Sequence, residues 1–286
     1  MAKYFNVNGA CRPGIHYMVN LEPKLKEIRT MIENGQYFTI NRARQHGKTT
    51  TLRALADYLK TDYTVISLDF QRMSSLDFEN ESAFVNALET KAALRTNSPW
   101  NIAASFRVDM GFSSGEIAGM LEEYEQDHLT GMDIQELAEA IYNRTSGYPY
   151  LVSGLCKYLD EEICGTADFP DRKQAWTKDG VIEAEKLLTT ENNPLFQSLT
   201  GKLTDYPQLR SAIYELLFTG KPIPYVPQNP YIDVAAMLGF IRNDNGTAVI
   251  SNRIFESVLY NLFISEEFSE SIPRRTIHHR AKGVER

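Results

Sequence analysis

One stretch limits what this chain can fold into more than any other: Asn41-Arg42-Ala43-Arg44-Gln45-His46-Gly47-Lys48-Thr49-Thr50. Before it, Tyr37-Phe38-Thr39-Ile40 is a short run of strand formers that follows Gly35, a helix-stopping residue. After it, Leu52, Leu55, Ala56 and Leu59 recur at helical spacing. Gly-Lys-Thr at a strand-to-helix turn is the core of a phosphate-binding loop. Gly47 lets the backbone approach an anion, and the N–H groups from Gln45 to Thr50 then point at phosphate oxygens. Lys48 would neutralise β- and γ-phosphates, and the Thr49 hydroxyl would coordinate magnesium. The full pattern, G-x-x-x-x-G-K-[ST], has its first glycine where this chain has Arg42. Arg42 or Arg44 would add positive charge beside a γ-phosphate; the plainer alternative for both is exposed loop charge or pairing with an acid. At His46 the backbone matters more than the ring.

Strand, loop and helix are followed by Thr64-Val65-Ile66-Ser67-Leu68-Asp69-Phe70, read as a second strand, so the two strands should run parallel with the helix crossing over. Upstream, Leu21, Leu25, Ile28 and Ile32 mark a helix, and residues 3–20 read as irregular, broken by Gly9 and Pro13-Gly14. Phe84, Leu88 and Ala92 suggest another helix, and residues 104–110 alternate like a third strand. A magnesium-binding acid would stand at the end of a later apolar strand, yet nowhere does Asp-Asp or Asp-Glu follow four apolar residues. Asp69 ends an apolar strand, and local hydrogen bonding explains it more simply than metal binding.

From residue 113 the pattern is helical. Ser113 with Glu116 forms a capping box, and Asp133 with Glu136 repeats the start signal. Gly147-Tyr148-Pro149 ends one helix and starts the next, with Pro149 suited to a first helical position. Shorter helices follow at 181–188, 194–203 and around Leu209 to Leu217. After a proline-rich connection come a short helix over 231–238, a hairpin with Asn245-Gly246 near its tip, and a last helix through Ile254 and Phe263. Helix, short helix and hairpin make a winged-helix arrangement.

Composition narrows the classes. The chain has 286 residues, 43% hydrophobic and 23% charged, as in ordinary globular proteins. The N-terminus has no apolar leader and no run approaches a membrane span, so a cytoplasmic protein without a membrane role is expected. Cys11, Cys156 and Cys164 lack metal-ligand spacing. A net charge of −7 argues against a broadly basic nucleic-acid surface. Only the last stretch is basic, with Arg274, Arg275, Arg280, Lys282 and Arg286 against Glu285, and it reads as a disordered end.

Together these stretches resemble bacterial AAA-like P-loop ATPases related to the STAND class. The carriers are residues 37–50, Ser98-Pro99-Trp100-Asn101-Ile102-Ala103, Thr145-Ser146-Gly147-Tyr148-Pro149-Tyr150-Leu151-Val152 and Asn252-Arg253-Ile254-Phe255-Glu256. The family tolerates Arg-x-Arg-Gln in place of the first loop glycine. Gly147-Tyr148-Pro149 resembles the Gly-x-Pro motif that such ATPases place against the nucleotide, which puts Pro149 in the site. Relatives carry the magnesium-binding acid strand of the Walker B motif before the Ser98-Pro99-Trp100 loop, and often a nuclease-like domain at the end. This chain resembles them with an internal deletion over that strand and without the nuclease domain.

The resemblance implies an α/β fold: a truncated P-loop parallel sheet over residues 1–112, a helical lid over 113–204, a winged helix over 205–265 and a basic tail over 266–286. It implies an ATP-binding module using ATP and Mg2+, a nucleotide-dependent switch with weak or no hydrolysis. The expected nucleotide-binding residues are Arg44, Gln45, His46, Gly47, Lys48, Thr49, Thr50 and Pro149, with Thr49 on magnesium. The alternative is a winged-helix module for DNA or protein with a vestigial loop. Its presumed recognition helix, residues 231–238, has no Lys or Arg, so a protein partner or self-association is favoured, with DNA held weakly through the tail at most. A small-molecule kinase would need a substrate base, and none is identifiable.

Overall fold

A computed structural model describes residues 2–36, 38–40, 43–66, 74–85, 106–107 and 110–271. Arg42, Asp69, Leu88, Ala92, the Ser98-Pro99-Trp100-Asn101 loop and the tail from residue 272 lie outside the described residues. The chain forms two compact units, Met1–Ala184 and Glu185–Arg286.

In the first unit, α1 (Glu22–Glu33) takes Pro23 in its first turn and ends at Asn34, where Gly35 turns left-handed at φ 66°. Its buried face, Leu25, Ile28 and Met31, packs with Leu55 and Leu59 of α2 (Lys48–Leu59) and with Met110. Each such buried side chain contributes about 1.5–3 kcal/mol, so this cluster anchors the helix that follows the loop. Between them lies β1 (Phe38–Thr39), whose neighbour is β2 (Phe106–Arg107): the pair is parallel, with Phe38 opposite Phe106 and Thr39 opposite Arg107. The expectation that β1 and α2 are followed by a strand over 64–70 is not met over 64–66. Residues 64–66 are irregular, with Val65 41% exposed, and 67–70 lie outside the described residues. A β-branched run needs a partner to become a strand; among the described residues β1 has its partner in the segment around Phe106.

The helices α3 (Ser114–His128), α4 (Ile134–Thr145) and α5 (Pro149–Tyr158) follow. Ser113 and Glu116 cap α3 reciprocally, Asp133 caps α4 by accepting the Glu136 N–H at 2.9 Å, and Pro149 opens α5. A single turn at Arg172–Ala175 leads into α6 (Lys178–Thr190). Lys24 of α1 ties into the start of α3, 3.1 Å from the Glu116 carboxylate and 2.8 Å from the Gly111 carbonyl.

An aromatic cluster fastens the N-terminal segment to these helices. Phe5 lies 4.9 Å from Tyr17, 5.3 Å from Tyr124 and 5.8 Å from Trp176, ring centre to ring centre. The Tyr124 hydroxyl donates to Asp160 and accepts from Trp176 Nε1 and Arg172 Nε, each at 3.1 Å. Tyr17 donates to Asp127 at 2.8 Å. These buried hydroxyls and the indole N–H therefore all have partners.

The second unit holds α7 (Pro194–Asp205), α8 (Pro207–Phe218), β3 (Ile223–Pro224), α9 (Pro230–Met237), β4 (Ile241–Asp244), β5 (Thr247–Ile250) and α10 (Arg253–Ser271). Its sheet is antiparallel in the order β3-β5-β4. Asn245 and Gly246 have φ of 47° and 87°, the left-handed pair that a two-residue hairpin of this twist requires. Phe240, Ile254, Phe255, Leu259 and Phe263 are buried around it. The last helix runs to Ser271, so the stretch 266–271, expected as tail, is helical. Among the described residues no helix is long and apolar enough to cross a membrane.

Candidate functional site

The loop before α2 has the backbone that anion binding asks for. Gln45 and Gly47 are left-handed, at φ 59° and 74°, with His46 between them on the ordinary side. Alternation of this kind turns successive N–H groups toward one point. Gly47 is also the N-cap of α2, so the first-turn N–H groups and the positive end of the helix dipole lie at the same concavity. A Cβ added at Gly47 would meet no atom within 4 Å; the positive φ, not crowding, selects glycine there.

Lys48 folds back over the loop, its Nζ donating to the Ala43 carbonyl at 2.8 Å. Burial lowers its pKa below the ordinary lysine value, because the ammonium has lost part of its water. Thr49 is exposed, whereas the Thr50 hydroxyl accepts the backbone N–H of Cys11 at 3.1 Å. Gln45 carries a buried side-chain oxygen with no hydrogen-bond partner among the described residues. A half-turn of that amide would offer a donor in the same place.

These residues open into a cleft of about 550 Å³. Arg44 through Thr50 form one wall, so all the loop residues expected from the sequence come together, and Pro149 reaches the same cleft from the start of α5. Nothing in the sequence pattern had pointed to the remaining wall. It is the N-terminal strap Asn6–Cys11, with Met18, Met110 and Phe112 supplying apolar surface. Residues 3–20 have an irregular sequence, and a segment without periodicity gives no sign of which neighbour it will cover. Asn6 shapes it locally by accepting the Asn8 N–H at 3.1 Å, the short-range bond typical of an Asx turn.

The Gly147-Tyr148-Pro149 turn is built against this site. Gly147, at φ 70°, accepts the Phe112 N–H at 2.8 Å. A Cβ on it would lie 1.9 Å from the Phe112 carbonyl oxygen, a contact only glycine avoids. The Tyr148 hydroxyl donates to the Arg44 carbonyl, and its ring meets the His46 ring edge to face, 4.4 Å between centres. Among the described residues no group of His, Cys, Asp and Glu side chains could hold a metal ion by itself.

No protein-family model matches the chain, and no curated protein matches it. Among solved structures it is similar to the Walker-type ATPase Paby2304 of Pyrococcus abyssi. The likeness covers 90% of this chain and 99% of that one, with 12% of residues identical and a TM-score of 0.50. At that identity the likeness is one of fold alone.

Proposed function

We propose that this chain binds ATP in the cleft between the loop, the strap and the turn at Pro149. The observation that carries the proposal is the left-handed turn at Gly47, which aims the N-terminus of α2 into a 550 Å³ space that also receives Lys48 and Pro149. The loop amides of residues 45–50 and the Lys48 ammonium would take the phosphates. The strap, with Met18 and Met110, would face the base and ribose. Thr49 would hold magnesium, which when bound neutralises charge between the β- and γ-phosphates. An anion there also offsets the desolvation of Lys48.

The chain is read further as a module of the AAA-like, STAND-related kind, with an internal deletion over the Walker B strand. The second unit is read as a winged helix: α8 and α9 precede a hairpin, and α10 closes it. Its short helix α9 has no basic residue and exposes Tyr231 and Met237, which suits a protein partner better than DNA. The bound nucleotide would act as a state read by partner contacts, with little turnover, because nowhere in the sequence do four apolar residues run into the Asp-Asp or Asp-Glu that would align magnesium and water.

Titrating the purified full chain with ATP, with and without magnesium, beside a steady-state phosphate-release assay tests the reading. Saturable binding that magnesium strengthens is expected. Turnover should lie about 10²-fold or more below the ~10 s⁻¹ of a typical enzyme, the order of loss that follows a missing positioning element. Absence of ATP binding would overturn the site. Turnover at an ordinary rate would overturn the slow-hydrolysis half and point to an acid elsewhere in the chain.

A further inference from the structure

We propose that Tyr148 is a positioning residue for phosphate binding: from the turn between α4 and α5 it holds the loop before α2 in its anion-accepting shape. The inference deepens the nucleotide reading above and rests on it.

The loop asks for outside support. Gln45 is not glycine, yet it stands at φ 59°. A left-handed residue with a Cβ is strained, because the Cβ crowds the neighbouring carbonyl oxygen. Such a conformation persists where surrounding contacts over-determine it. Tyr148 supplies them on either side of Gln45. Its hydroxyl donates to the carbonyl of Arg44, the peptide group that leads into Gln45, and its ring packs on His46, the residue after it. With the Arg44 carbonyl held by Tyr148, the peptide plane that enters Gln45 is fixed, and that plane sets the course of the loop that follows.

Tyr148 can do this because it is itself fixed. It is 4% exposed. Its own N–H donates to the Thr145 carbonyl at 3.0 Å, and Gly147 beside it donates to the Thr145 hydroxyl at 3.2 Å. The Gly147 carbonyl is held by Phe112, on the segment that enters α3. Burial pushes the Tyr148 phenol up in pKa, so it remains a hydrogen-bond donor at any working pH. Pro149, the next residue, lines the cleft. One turn therefore both bounds the ligand space and sets the shape of the phosphate cradle, and a shift of that turn would alter phosphate affinity directly.

The test uses the full chain and Tyr148→Phe, which keeps the ring and removes the hydroxyl. Affinities for ATP, ADP and AMP are measured for both, together with hydrogen exchange of the Gln45, His46 and Gly47 amides in the ligand-free proteins and the melting temperature. Loss of one hydrogen bond predicts ATP binding weaker by about 5- to 10-fold. The loss should shrink from ATP to ADP to AMP, the three amides should exchange faster, and the melting temperature should stay close to wild type. Unchanged ATP affinity or unchanged exchange, in a wild-type chain that binds ATP, overturns this proposal alone. An equal loss for all three nucleotides with a lowered melting temperature also overturns it, since that pattern belongs to packing. A wild-type chain that binds none of the three overturns the nucleotide reading itself, and this proposal with it.

Discussion

Replacing Lys48 with alanine is expected to weaken ATP binding by about 100-fold or more while leaving the fold intact. The ammonium sits at the mouth of α2, where loop amides and helix dipole already favour an anion, so it and the phosphates would form charge-assisted hydrogen bonds in a partly desolvated place. A hydrogen bond to a charged group contributes about 1.5–3 kcal/mol, and two decades of affinity correspond to about 2.7 kcal/mol. Stability should not follow affinity. Burial lowers the pKa of Lys48 in the folded chain, and at neutral pH, where an unfolded lysine is charged, a depressed lysine pKa counts against folding. Removing that charge removes the penalty. Calorimetric titration beside a melting curve checks both halves. An affinity equal to wild type would sink the assignment of the site.

The largest effect on stability is expected at Gly147. Alanine there would place a Cβ 1.9 Å from the backbone oxygen of Phe112 and would also stand at φ 70°. Backbone cannot swing aside as a flexible side chain can, so the turn must open and the Phe112 bond to Gly147 must break. A loss of about 4 kcal/mol or more is expected, in the range that marks a named steric fault. Gly9→Ala supplies the comparison. Gly9 has φ 73° but nothing within 4 Å of an added Cβ, so only the left-handed cost of about 1–2 kcal/mol should appear. Urea midpoints of the two variants measure the difference. Equal midpoints would mean that Gly147 and Phe112 do not approach as closely as described.

What the sequence reveals here follows from how local each cause is. The phosphate loop, the Ser113 capping box and Pro149 at the start of α5 depend on residues within one helical turn, and each is legible as a short pattern. The Asn245-Gly246 turn is legible for the same reason, because the φ values it needs belong to those residue types. Pairing is not local. Val65 and Ile66 have the composition of a strand, but whether a strand forms depends on a neighbour, and β1 lies beside Phe106 and Arg107. The second wall of the cleft was hidden more deeply. The strap has no period, and the contacts that place it, Cys11 to Thr50 and Phe5 to Trp176, span long separations along the chain. Tyr148 was visible as the middle of a motif, but the use of its hydroxyl emerges only once Arg44 is beside it.

The route of the strap has a consequence for the order in which the protein comes into being during synthesis. Phe5 and Tyr17 leave the ribosome early, yet the rings that hold them, Tyr124 and Trp176, emerge much later. Contacts of long sequence separation close late, because the loop entropy must be overcome before burial rewards it. Until Tyr124 and Trp176 are both out, the strap has only the Cys11 contact to Thr50 and lacks its aromatic anchor, so the wall it lends to the cleft is incomplete. A nascent chain therefore carries the loop before α2 before it carries a pocket, and the pocket is completed by an event some distance downstream of the loop itself. Limited proteolysis of chains stalled at increasing lengths reads this out. Cleavage within residues 5–17 should be suppressed only in chains long enough to expose Trp176; protection appearing in shorter chains would show that the strap docks without it.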